Sequence, residues 1–209
     1  MVPPVSLLAV RRLACVRGEA TLFEDLNFEL RAGEALQVEG ANGTGKTSLL
    51  RILSGLTLPD EGEVYWRGKN IAARRPEFHA QLAYLGHSLG LKAELTVAEN
   101  LQLAIGLQGL GGSASRFFEV LEKVRLDHRA DLPVRALSAG QRQRVALARM
   151  LLLKAVLWIL DEPFTALDAA GVSLVKTLAE EHLEHGGVVI LTSHQAVTLG
   201  AGLRKLELS

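Results

Sequence analysis

Gly40-Ala41-Asn42-Gly43-Thr44-Gly45-Lys46-Thr47 is the stretch on which the reading of this 209-residue chain turns. It fits the pattern Gly-x-x-x-x-Gly-Lys-Ser/Thr at every fixed position. Glycines let a backbone curl around an anion with its N–H groups, and the N-terminus of a following helix favours the same charge. Lys46 supplies a point charge for β- and γ-phosphates, and the Thr47 hydroxyl is placed to bind Mg²⁺. The run Gly40, Ala41, Asn42, Gly43, Thr44, Gly45, Lys46, Thr47 and Ser48 is thus the expected phosphate-binding set. The flanks agree: 35–39 reads as a strand entering the loop, and 47–53 as a helix leaving it and stopping at Gly55.

A second constellation lies far downstream, in Val156-Leu157-Trp158-Ile159-Leu160-Asp161-Glu162. A fully apolar strand ending in two carboxylates puts Asp161 beside the phosphate loop, where it can hold Mg²⁺ through water. Glu162 would then face the γ-phosphate as the base for an attacking water. The plainer alternative is a buried strand followed by a solvated acidic turn.

The rest of the chain supplies a scaffold for both. Leu26, Phe28 and Leu30 alternate with polar residues, and 64–66 and 82–85 are further strand candidates. Thr96-Val97-Ala98-Glu99 has capping-box spacing, and its helix should end before the glycines at 109–112. Residues 117–124 read as a second helix, and Ser138-Ala139-Gly140-Gln141 opens a third with another Ser-x-x-Gln box. The last third alternates strand 156–160, helix 169–185 and strand 188–192, with an edge strand possible at 203–208. Such alternation predicts an α/β fold with a mostly parallel sheet, here with N-terminal antiparallel strands and a helical insertion. The expected division is one domain, 1–209, with 1–87 and 138–209 as catalytic core and 88–137 as helical subdomain.

Leu137-Ser138-Ala139-Gly140-Gln141, taken with the phosphate loop and Asp161-Glu162, resembles the signature of ABC-type ATPases, in a Gly-to-Ala variant. The resemblance spans nearly the whole chain. It implies ATP and Mg²⁺ as ligands and a head-to-tail dimer in which Leu137, Ser138, Ala139, Gly140 and Gln141 meet the γ-phosphate of ATP held by a second copy. Ser138 would cap a helix whose free N–H groups face that phosphate. Ala166-Leu167-Asp168 resembles the D-loop, which contacts the partner near the nucleotide, and His194 resembles the switch histidine on the γ-phosphate. Two positions depart from the family. A glutamine that binds Mg²⁺ and water in the family is replaced after Tyr84-Leu85-Gly86 by His87, which could ligate or hydrogen-bond in its place. Where an aromatic usually stacks on adenine, Arg17 stands, and a guanidinium can also stack on a base.

Within that family the chain is similar to the ATP-binding subunit of the haem exporter of bacterial cytochrome c maturation. The residues concerned are Leu22-Phe23-Glu24-Asp25-Leu26-Asn27-Phe28, Tyr84-Leu85-Gly86-His87, Leu95-Thr96-Val97-Ala98-Glu99-Asn100-Leu101 and the signature with Arg142-Gln143-Arg144. This implies a peripheral subunit on the cytoplasmic face of the bacterial inner membrane, bound to integral membrane subunits. Haem would be handled by the complex and not bound by this chain. Another small exporter, a soluble ABC ATPase acting outside transport, and a regulatory module with a dead site are the alternatives.

Composition narrows the classes. Lys and Arg number 23 against 23 Asp and Glu, so the basic surplus of a nucleic-acid-gripping protein is missing. The 48% hydrophobic content excludes disorder, and a lone Cys15 excludes an internal disulfide. Apolar runs fall far short of the ~20 residues of a membrane helix, and no signal peptide is read in the first ten positions. One ATPase unit without long heptads, or room for a C-terminal regulatory domain, leaves a compact transporter ATPase as the expectation. His182 and His185 are spaced for metal ligation, but Glu180, Glu181 and Glu184 point to a solvated face. Arg142, Arg144 and Arg149 make the signature helix basic, and the basic stretch 67–75 is expected to be a loop.

Overall fold

Half-buried strands open the chain. In this computed structural model, which describes residues 6–107, 109, 114–194, 197–200 and 202–208, β1 (Leu8–Arg17) and β2 (Ala20–Leu30) pair antiparallel. After β3 (Ala35–Glu39) and α1 (Lys46–Leu53) come β4 (Glu61–Trp66) and the two-residue β5 (Lys69–Asn70), which complete a sheet of order β2-β1-β4-β5. The basic stretch expected as a loop thus contains β5, and its last residue begins the short α2 (Arg75–His79). Gly62 packs against the register shift of β1 between Arg11 and Ala14: its φ is +81°, and a Cβ there would lie 2.2 Å from the Arg12 carbonyl oxygen. Only a glycine admits that approach.

β6 (Leu82–Leu85) leads to the helices α3 (Val97–Leu107) and α4 (Ala114–Lys123). The first carries the expected capping box: Thr96 N–H donates to Glu99 Oε2 at 2.8 Å, and Glu99 N–H to Thr96 Oγ1 at 3.1 Å. Of the linker expected at 109–112, only residue 109 is among those described. Next come α5 (Ala139–Leu152), β7 (Leu157–Leu160), α6 (Ala169–Glu184), β8 (Val188–Thr192) and β9 (Leu203–Glu207).

The second sheet is parallel, in the order β6-β7-β8-β3-β9. Every residue of β7 and β8 is buried, as a parallel strand covered on both faces requires. Their side chains divide by parity. Leu157, Ile159, Val188 and Ile190 join one core with α1 and the antiparallel sheet. Trp158, Leu160, Val189 and Leu191 join another with α3, α4, α5 and α6. The molecule is therefore layered, and the C-terminal ends of the parallel strands β3 and β7 emerge at the same end of the sheet, on either side of β8. Among the described residues no helix is long and apolar enough to cross a membrane.

Candidate functional site

The loop after β3 turns on its glycines. Gly40, Gly43 and Gly45 have φ of 147°, 89° and 96°, and Gly45 is the N-cap of α1. Lys46 folds back over this loop, its Nζ donating to the carbonyls of Gly40 at 2.7 Å and Ala41 at 2.8 Å. The first-turn N–H groups of α1 have no intrahelical acceptor and point outward at the same concavity. A cavity of about 280 Å³ lies here, bounded by Asn42, Gly43, Gly45, Lys46, Thr47, Ser48, Asp161, Glu162, His194 and Leu22.

Asp161 and Glu162 leave the end of β7. Asp161 is only 6% exposed, and both its oxygens are engaged. Thr47 Oγ1 donates to Oδ2 at 3.0 Å, joining the two sequence motifs across the site. Thr192 Oγ1, at the end of β8, donates to Oδ1 at 2.8 Å and accepts Glu162 N–H at 2.9 Å. Glu162 has φ of 52°, a left-handed conformation that is uncommon for a residue with a side chain. Its Oε1 is buried with no hydrogen-bond partner among the described residues, although His194 Nε2 stands 3.4 Å away. A hydroxyl and carboxylates in one cleft are the donor chemistry of a hard divalent cation, so Thr47 and Asp161 could hold Mg²⁺.

A second, larger cavity of about 620 Å³ lies at the N-terminus of α5, lined by Ser138, Ala139, Gly140, Gln141, Arg144, Ala166, Leu167, Asp168, Arg125, His128 and Arg129. Ser138 and Gln141 form the expected box: Gln141 N–H donates to Ser138 Oγ at 3.2 Å and Ser138 N–H to Gln141 Oε1 at 2.9 Å. That leaves the N–H groups of Ala139 and Gly140 without intrahelical acceptors. The helix is tied to the acidic loop. Gln143 Nε2, buried, donates to Pro163 O at 3.0 Å, and Arg144 Nη2 lies 3.4 Å from Asp168 Oδ1. A Cβ on Gly140 would come within 3.0 Å of Ala166 O, which itself sits at φ of 62°. Asp168 caps α6 through Gly171 N–H at 2.7 Å.

A family model described as ABC transporter matches residues 23–165. The chain belongs to that family. The cytochrome c biogenesis ATP-binding export protein CcmA of Methylococcus capsulatus is 50% identical over 97% of this chain and 98% of its own length. The Haemophilus influenzae protein of the same name is 48% identical over 97% and 95%. Among solved structures, an ATP-binding subunit of an ABC transporter superposes with TM-score 0.85 at 27% identity, over 97% of this chain and 88% of that one. An ATP-binding cassette solved as a dimer in a post-hydrolysis state with ADP and Pi gives TM-score 0.85 at 25% identity, over 96% and 94%. The chain is an ATPase of the ABC type, with the core α/β architecture read from the sequence.

In this ABC ATPase the phosphate loop, Asp161, Glu162 and His194 meet in one cleft, whereas the signature and Asp168 line another. His87 is exposed and borders neither cavity, and Arg17, also exposed, turns its Nη1 toward its neighbour's carbonyl, Val16 O, at 3.3 Å. Tyr84, in the same segment as His87, feels the charge of Asp161. Burial, with Asp161 adding to it, pushes its phenol above the ordinary value of 10. His182 is not on a solvated face. Its ring stacks on Trp158 at 4.1 Å between centroids, and Nε2 meets Val156 O at 3.0 Å. Among the described residues no cluster of His, Cys, Asp and Glu could hold a metal there. Thr192 escaped the sequence reading as a site residue, and Gln143 entered it only within the run that follows the signature. The one signal for Thr192 was a polar residue closing a wholly apolar strand two positions before His194.

Proposed function

We propose that this chain is the ATP-hydrolysing subunit of an export complex in cytochrome c biogenesis, coupling hydrolysis to the export and delivery of haem. The observation that carries this is the full-length identity of about one residue in two to CcmA proteins. In this reading the protein sits peripherally on the cytoplasmic face of the bacterial inner membrane. It works as a pair of copies bound to integral membrane subunits, and haem is handled by the complex.

Gly40 to Ser48 would wrap the phosphates, with Lys46 leaving its two carbonyl partners to reach the β- and γ-oxygens. Mg²⁺, held by Thr47 and by Asp161 through water, would neutralise charge on the phosphates. Glu162 would accept the proton of the attacking water, since it lines the cleft with Lys46 and His194 and its Oε1 makes no hydrogen bond beyond the 3.4 Å approach of His194 Nε2. His194 would hold the γ-phosphate from the other side. Supporting this set is the 3.0 Å contact between Thr47 and Asp161, residues 114 positions apart. Leu137, Ser138, Ala139, Gly140 and Gln141 would close over the nucleotide of the second copy, with Asp168 beside them. The cationic lining supplied by Arg125, Arg129 and Arg144 suits an incoming polyphosphate. His87 and Arg17 line neither cavity, so the geometry lends no support to metal or adenine contacts from them.

The test is purification of tagged Glu162→Gln from membranes with ATP present. Recovery of small integral membrane subunits together with haem-handling proteins is expected. An unrelated permease would remove the haem assignment, and soluble partners alone would remove transport. Retained ATP binding without turnover is expected of the same variant.

A further inference from the structure

The hydroxyl of Thr192 is spent entirely on the acidic pair. It has one proton to give, and Asp161 Oδ1 takes it at 2.8 Å. It accepts one N–H, that of Glu162, at 2.9 Å. The side chain is fully buried, and the four residues before it in β8 are Val188, Val189, Ile190 and Leu191. A valine would suit the strand and the packing as well, because both are β-branched and of similar shape. The strand does not require the hydroxyl. The acidic pair does.

We propose that Thr192 is a positioning residue for ATP hydrolysis: its hydroxyl sets the rotamer of Asp161 and the backbone of Glu162. With Oδ1 held by Thr192, Asp161 presents Oδ2 to Thr47, the side on which the metal would lie. With its N–H anchored, Glu162 keeps the left-handed φ of 52° that turns its carboxylate into the cleft. Such a conformation persists only where surrounding contacts over-determine it. The inference rests on the reading of Asp161 and Glu162 given under Proposed function.

The experiment compares full-length wild type, Thr192→Val and Thr192→Ser in ATP turnover, ATP affinity without metal, and the Mg²⁺ concentration for half-maximal rate. Loss of one hydrogen bond to a charged group predicts kcat lower by about ten- to a hundredfold in Thr192→Val. Half-saturating Mg²⁺ should rise in that variant while metal-free ATP affinity holds. Thr192→Ser, which keeps the hydroxyl and loses the methyl, should restore both. Wild-type turnover and Mg²⁺ dependence in Thr192→Val overturn the inference, as does a Thr192→Ser that fails alongside it. If Thr192→Val does not fold, the decision passes to Thr192→Ser: a rate and Mg²⁺ dependence close to wild type support the hydroxyl, and loss of either overturns it. Glu162→Gln is the control that separates the two claims. Full turnover there removes the underlying reading, whereas an inactive Glu162→Gln beside a normal Thr192→Val removes only the role of Thr192.

Discussion

Ser138 has two tasks in the reading above, and a pair of substitutions separates them. As N-cap of α5 it accepts Gln141 N–H at 3.2 Å, while Gln141 closes the box on Ser138 N–H at 2.9 Å. Ser138→Ala removes the first bond, a cost of about 1 kcal/mol for a cap of this kind. In a chain of this size that lowers the melting temperature by about 2–4 °C. Ser138→Asp keeps a capping oxygen and adds a negative charge, which the N-terminus of α5 itself welcomes. Its melting temperature should stay near that of wild type. The second task is to meet a γ-phosphate from another copy, and there the aspartate is repelled. In the Glu162→Gln background, ATP should convert the parent protein to a dimer by light scattering, and should leave the Ser138→Asp double variant monomeric. A double variant that dimerises with ATP as the parent does would refute a phosphate contact at Ser138. A Ser138→Ala as stable as wild type would refute the energetic account of the cap.

Lys46→Ala should weaken ATP binding by about ten- to a hundredfold, the worth of a charge-assisted contact, by isothermal titration; unchanged affinity would contradict the phosphate-loop reading. Gly62→Ala should destabilise the antiparallel sheet by well over the ~1 kcal/mol of a positive-φ substitution, because the added Cβ meets Arg11 O at 2.4 Å and Arg12 O at 2.2 Å. Denaturant unfolding measures it. Burial against Trp158 holds His182 below its ordinary 6.5, so the unfolded chain binds a proton more readily than the folded one. That contribution to stability is present above pH ~6.5 and is lost as pH falls toward the folded value. His182→Gln should accordingly show a shallower fall in melting temperature than wild type between about pH 7.5 and about pH 5.5.

What the sequence carried openly was whatever depends on local spacing. The phosphate loop, both capping boxes and the apolar strand ending in Asp161 are each complete within eight or so consecutive residues, and each has its expected structure. The pairing of Thr47 with Asp161 followed from two such motifs together. Thr192 was invisible for the opposite reason. Its role exists only because β8 lies beside β7 in the sheet, and a threonine at the end of an apolar strand is unremarkable by itself. His182 was misplaced because three glutamates around it set the apparent polarity of the helix, while its ring turns inward onto Trp158. The basic run from Arg67 to Arg75 read as a loop because β5 is only two residues long and takes its register from β4.

The placement of β3 governs when the site can exist during synthesis. This strand, which feeds the phosphate loop, is flanked by β8 on one side and β9 on the other, and Leu208 N–H closes onto Glu39 O at 2.9 Å. A Cβ on Gly40 would sit 2.5 Å from Leu208 O, so the loop is moulded directly against the end of that last strand. At usual elongation rates roughly ten to thirty seconds separate translation of the loop from translation of its second neighbour. Until β8 and then β9 have been made, a nascent chain carries the loop's residues on a strand without its native neighbours. The phosphate loop therefore gains its full setting only after β8 and β9 have both been delivered.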